Sequence, residues 1–83
     1  MYHLILSPKA QKQLKNIKQN HQLAVKLAIE DIKEHPTLGK SLTKELTGKF
    51  SYRVGVYRII YKVNEKDKVV NILTARHRGD VYK

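Results

Sequence analysis

The hydrophobic pattern of this chain changes period near Pro36: apolar residues recur at helical spacing before it and alternate as in strands after it. Residues 2–6 (YHLIL) are short and apolar and read as a strand. Ser7-Pro8 then opens a helix, a hydroxyl N-cap followed by proline at the first helical position. Ala10, Leu14 and Ile17 form its stripe, with Lys12, Lys15 and Lys18 outside it. Asn20-His21 is expected to break this helix. A second helix is expected over about residues 22–34, with Ala24, Val25, Ala28, Ile29 and Ile32 on its apolar face and Pro36 as its stop. The two helices make an αα-hairpin.

Leu38-Gly39 and Thr47-Gly48 are turn signals around a polar connection. Residues 50–54 (FSYRV) and 56–63 (VYRIIYKV) read as strands with a tight bend at Gly55. Asn64-Glu65-Lys66-Asp67 is a polar turn, residues 68–76 (KVVNILTAR) are the next strand, and residues 79–83 close the chain. The order is β-αα-βββ. It predicts an α+β fold with an N-terminal strand, an αα-hairpin and a three-stranded antiparallel meander, the helices packed on one sheet face. Along residues 56–63, Tyr57, Ile59, Tyr61 and Val63 share one face, and Arg58, Ile60 and Lys62 share the other. The more apolar set is expected to meet the helices, leaving Arg58 on the open face.

Eighty-three residues predict a single domain, 1–83, that buries roughly 60–65% of its unfolded surface. The chain has no cysteine, which leaves neither disulfides nor a thiolate metal site and suits the cytoplasm. Ser7, Pro8 and Lys9 interrupt the apolar start that a signal peptide would need. No stretch approaches the ~20 apolar residues of a membrane span. The formal charge of +10 calls for an acidic partner: nucleic acid, an acidic protein or an anionic surface.

The basic residues are unevenly placed. The thirteen lysines run from Lys9 to Lys83, as a general solubilising charge would. The four arginines, Arg53, Arg58, Arg76 and Arg78, all follow the change of period, with Tyr57, Tyr61, His77 and Tyr82 interleaved. Guanidinium forks match phosphate geometry and stack on flat rings, so this end of the chain is suited to a polyanion, RNA first. Taken singly, Arg58 reads as a surface strand arginine paired with Glu65 or Asp67, and His77 as a strand-end histidine bonded to backbone. The run Arg76-His77-Arg78 shifts the balance, because adjacent cations repel unless an anion sits among them. Tyr82 serves either as a plug for the core edge or as a stacking platform for a base.

His3, His21 and His35 are scattered and lack metal-site spacing, so neither a metal nor another cofactor is expected. No phosphate-binding glycine loop, paired-carboxylate arrangement or nucleophile elbow is present. RNA cleavage without metal suits what remains. The ribose 2′-OH is the nucleophile, arginines neutralise the phosphate, and a group such as His77, or less readily Tyr82, moves a proton.

The runs RVGVYRIIYKV (53–63) and RHRGDVYK (76–83), preceded by Leu46-Thr47-Gly48, resemble the RelE/ParE superfamily of bacterial toxins across the whole chain. Similarity to the RelE branch implies an mRNA interferase that cuts messenger RNA in the ribosomal A site. Carried over by position, Arg58 would hold the scissile phosphate and Arg76 would be the catalytic arginine. Tyr82 would orient or stack the substrate, Arg53 would assist the 2′-OH, and His77 matches a histidine that is catalytic in some relatives. Arg78, Lys49 and Lys62 are further candidates for RNA contact. Ser51 departs from the pattern by standing where many relatives have a second basic residue, with Lys49 as a candidate to compensate, and Val56 replaces a common acidic residue. The resemblance also implies an acidic antitoxin as partner and a place in the cytoplasm beside the ribosome. Two other readings stand beside the nuclease: a ParE-like inhibitor of DNA gyrase that does no chemistry, and a non-catalytic RNA-binding remnant.

Overall fold

A computed structural model describes residues 2–41 and 48–77. The elements run β1 (His3–Leu6), α1 (Pro8–Lys15), α2 (Gln19–Glu34), a 3-10 turn (Pro36–Leu38), β2 (Lys40–Ser41), β3 (Lys49–Val54), β4 (Tyr57–Asn64) and β5 (Val69–His77). They form an α+β fold around one sheet of order β1-β5-β4-β3-β2. The expected meander is β3-β4-β5, each pair antiparallel. It is extended at both edges. β1 lies parallel to β5, and the two residues of β2 lie antiparallel to β3. The second extension was not expected, since a polar Lys-Ser pair carries no strand signal.

Ser7 caps α1 as the sequence indicates. Its hydroxyl accepts from the Ala10 N–H at 3.0 Å and donates to the Leu73 carbonyl at 2.8 Å, tying the helix start to β5. The helix boundary differs from expectation. α1 stops at Lys15 with Asn16 as its C-cap, and Asn20 and His21 belong to the first turns of α2. Ile17 is buried in the connection, and the Gln22 side chain donates to its carbonyl at 3.0 Å. Within α2 the His21 ring packs edge-on against Tyr57, with centroids 5.5 Å apart. On α2 the buried residues are Val25, Ala28, Ile29 and Ile32. Ala24, expected among them, is exposed, as are Leu23 and Leu27.

The core lies between the helices and one sheet face. Tyr57, Ile59 and Tyr61 of β4 and Val70, Ile72 and Ala75 of β5 are buried against Ala10, Ile17 and the α2 stripe. Tyr61 is fully buried, stacked on Phe50 at 5.4 Å. Its hydroxyl donates to the Pro36 carbonyl at 2.7 Å and accepts from the Gly39 N–H at 2.9 Å. A Cβ at position 39 would lie 2.6 Å from that hydroxyl and 2.9 Å from the Ser51 carbonyl, so only glycine lets β2 approach this closely. The β3-β4 hairpin turns on Gly55-Val56, where Gly55 takes φ +57. The β4-β5 connection is held by Asn64, whose side chain bonds both the backbone N–H and the carboxylate of Asp67 at 3.0 Å.

Candidate functional site

The sheet face turned away from the helices is a field of cations. Lys49, Ser51 and Arg53 present on it from β3, since Phe50, Tyr52 and Val54 pack on the core. Arg58, Ile60 and Lys62 do so from β4, as the alternation predicts. Among the described residues, no strand position carries a carboxylate.

The register lines these cations up. Arg53 is opposite Arg58, and Arg58 is opposite Arg76. Three arginine positions from three strands therefore lie in one cross-strand row. With strands ~4.8 Å apart, the row spans about 10 Å at the backbone. Directly opposed like charges weaken a sheet, so such a row needs a compensating anion. The ion pair considered for Arg58 is not formed. Glu65 and Asp67 lie beyond the far end of β4, about 20 Å along the strand at ~3.3 Å per residue.

Arg76 reaches this face through a break in β5. Ile60 pairs with Thr74, but Tyr61 pairs with Ile72, leaving Leu73 as an extra residue. Val70 and Ile72 face the core. Uninterrupted alternation would have sent Thr74 and Arg76 there too. The bulge at Leu73 inverts the phase, so Ala75 is buried instead and Arg76 joins Arg58. The bulge is held from both sides by α1. Ser7 bonds the Leu73 carbonyl, and the Ala75 N–H donates to the Gln13 side chain at 2.8 Å.

The same phase places His77 on the opposite face. It pairs with Tyr57, and the rings meet edge-on at 5.5 Å. Tyr57 is thus flanked by His77 and His21 on the helix side, near a 220 Å³ hollow that Gln13, Asn16 and Arg76 also line. The structure brings Arg53, Arg58 and Arg76 together and does not bring His77 to them. Tyr57 and Tyr61, interleaved with the arginines along the chain, point into the core. Burial raises the Tyr61 phenol above its ordinary value of 10.0, and the Gly39 N–H only partly offsets this. Arg78 and Tyr82 lie outside the described residues, as do Leu46 and Thr47 of the Leu-x-Gly motif.

Lys49 and Lys62 form a second cationic pair, opposite one another on β3 and β4, beyond the Arg53–Arg58 rung and the Ser51–Ile60 pair between them. Beside the arginine rung an open cleft of about 390 Å³ is lined by Lys40, Ser51, Arg53 and Arg58. Lys40 was not singled out by the sequence, because only the pairing of β2 with β3 brings it there. Among the described residues, no three His, Cys, Asp or Glu side chains cluster as metal ligands would, and no helix is long and apolar enough to cross a membrane.

Comparison with known proteins agrees with this architecture. A family model described as the ParE toxin of the parDE type II toxin-antitoxin system matches residues 4–82. Toxin RelG of Mycobacterium tuberculosis is 40% identical over 60 residues, covering 71% of this chain and 69% of RelG. The toxin-antitoxin complex RelBE2 of the same organism contains a chain with TM-score 0.83 and 33% identity, covering 93% of this chain and 98% of that one. The isolated E. coli RelE toxin superposes with TM-score 0.81 at 19% identity, over 99% of this chain and 92% of that one, a likeness of fold.

Proposed function

The chain belongs to the RelE/ParE superfamily of toxins from type II toxin-antitoxin systems, and on that footing we propose that it is a metal-independent endoribonuclease cleaving messenger RNA in the ribosomal A site. The observation that carries this reading is the row Arg53–Arg58–Arg76 on an open face whose described strands hold no carboxylate. A phosphodiester laid across the row meets forked donors from three strands. In-line attack forms the bond between the 2′-oxygen and phosphorus and breaks the bond from phosphorus to the 5′-oxygen. One proton leaves the 2′-OH and one arrives on the 5′-oxygen. Arg58 and Arg76 stabilise the charge that builds on the non-bridging oxygens, a contribution of about 2–4 kcal/mol for each well-placed donor. Arg53 neighbours the 2′-OH. Tyr82 stacks or orients the base from the C-terminal segment, and Arg78, Lys49 and Lys62 hold flanking phosphates. His77 packs against Tyr57 on the helix side, so in this reading its part is to support the end of β5.

The natural partner in this reading is an antitoxin whose acidic segment neutralises the cationic face. Several structural neighbours are themselves toxin-antitoxin complexes. Action on messenger RNA at the ribosome places the protein in the cytoplasm. The description of the matching family model as ParE favours a second reading, inhibition of DNA gyrase without chemistry. Primer extension on messages after induction separates the two. Cuts within codons, abolished together with growth arrest in Arg58→Ala and Arg76→Ala, are the expected result. Intact messages with DNA damage would establish the gyrase reading, and full toxicity in both variants would remove the nuclease.

A further inference from the structure

On the open face, β3 presents Lys49, Ser51 and Arg53 in succession, so its run of cations has a gap at Ser51. The residue directly opposite Ser51 is Lys40, from the two-residue strand β2. Lys40 is exposed and lines the 390 Å³ cleft with Ser51, Arg53 and Arg58. Its placement is not that of a loosely tethered surface lysine. The preceding residue, Gly39, is bonded to the fully buried Tyr61 hydroxyl, which also holds the Pro36 carbonyl. A side chain at position 39 would collide with both that hydroxyl and the β3 backbone. The core thus sets where β2 lies, and β2 sets where the Lys40 ammonium can reach.

We propose that Lys40 fills the gap at Ser51 and binds the RNA phosphate next to the scissile one held by Arg58 and Arg76, on the Arg53 side of the row. The inference rests on the RNA reading of this face and adds to it a residue from a separate strand. A lysine suits the role, since a flanking phosphate needs a point charge rather than the planar fork required at the reacting centre. The strand of RNA would then leave the arginine row over the β2 edge of the sheet, and shortening that edge would narrow the length of message the toxin grips.

The test is the salt dependence of binding to a short single-stranded oligoribonucleotide with 2′-O-methyl riboses, which blocks cleavage. Fluorescence anisotropy across a KCl series gives the slope of log K against log salt. For single strands, each phosphate that the protein neutralises adds about 0.7 to the magnitude of that slope. Lys40→Ala and Lys40→Met are expected to reduce the slope by the share of one phosphate, Lys40→Arg to keep it, and the control Lys12→Ala, on α1, to match wild type. Lys40→Met retains the aliphatic stem, so the pair keeps the result readable if the alanine variant loosens the sheet edge. A wild-type slope in both neutral variants, alongside a reduced slope in Arg58→Ala, would overturn the assignment of Lys40 alone. Unchanged slopes in every variant, Arg58→Ala included, would overturn it together with the RNA reading.

Discussion

Removing the central charge of the arginine row should move activity and stability in opposite directions. Arg58 lies opposite a guanidinium residue on each side, Arg53 on β3 and Arg76 on β5. Each opposed like-charge pair weakens the sheet, on the scale of ~0.2–1 kcal/mol found for cross-strand pairs. Arg58→Met removes two such pairs while keeping the half-buried aliphatic stem on the sheet. The expected gain is then ~0.5–2 kcal/mol at low salt. A gain of ~1 kcal/mol raises Tm by about 4–8 °C in a domain of this size. In the proposed nuclease the same substitution would withdraw a donor from the phosphate, with an expected loss of about 2–4 kcal/mol of transition-state stabilisation, roughly 30- to 1,000-fold in cleavage. Thermal melts at low salt and at ~1 M salt, where the Debye length falls to ~3 Å, separate charge repulsion from packing. The Tm gain should shrink in the high-salt melt. A variant that melts at or below wild type at low salt would refute the repulsion argument. Undiminished cleavage would refute the role of Arg58 at the phosphate.

Other consequences follow from the elements that hold the site. Tyr61→Phe strands the Gly39 N–H and the Pro36 carbonyl, and denaturant unfolding should show a destabilisation of about 1–3 kcal/mol. Because burial raises the Tyr61 phenol, the unfolded chain loses that proton first as pH rises. The Tyr61 contribution is therefore complete below about pH 10 and declines above it, and the Phe variant should lack that alkaline decline in a stability-versus-pH series. Gly39→Ala should cost ~1–3 kcal/mol by overpacking against Tyr61 and Ser51, measured by the same unfolding assay. Ser7→Ala removes both the α1 cap and the bond to the bulge carbonyl. It should cost ~1 kcal/mol in unfolding and also reduce cleavage, since Arg76 depends on that bulge for its direction.

Much of this molecule can be read directly from residue order. The Ser7-Pro8 start, the stripe Val25-Ala28-Ile29-Ile32, the bend at Gly55 and the alternation of β4 are local signals, each expressed within one turn or one strand. They suffice for the α+β class, and for the prediction that Arg58 faces away from the core. The motif runs 53–63 and 76–83 carry the family, and with it the expectation that arginines from different strands act together.

Long-range pairing supplied what local signals lack. Arg76 reaches Arg58 only because Leu73 is an extra residue in β5, and a bulge arises from how two strands and a helix start fit together. Uniform alternation would have put Arg76 in the core and His77 beside Arg58. Lys40 was silent for a related reason: Lys-Ser has no strand propensity of its own and becomes β2 only because buried Tyr61 bonds Gly39 beside β3. Residue order states which charges the chain possesses. Register, bulge and edge pairing, whose energies depend on partners distant in the chain, settle which of those charges share a face.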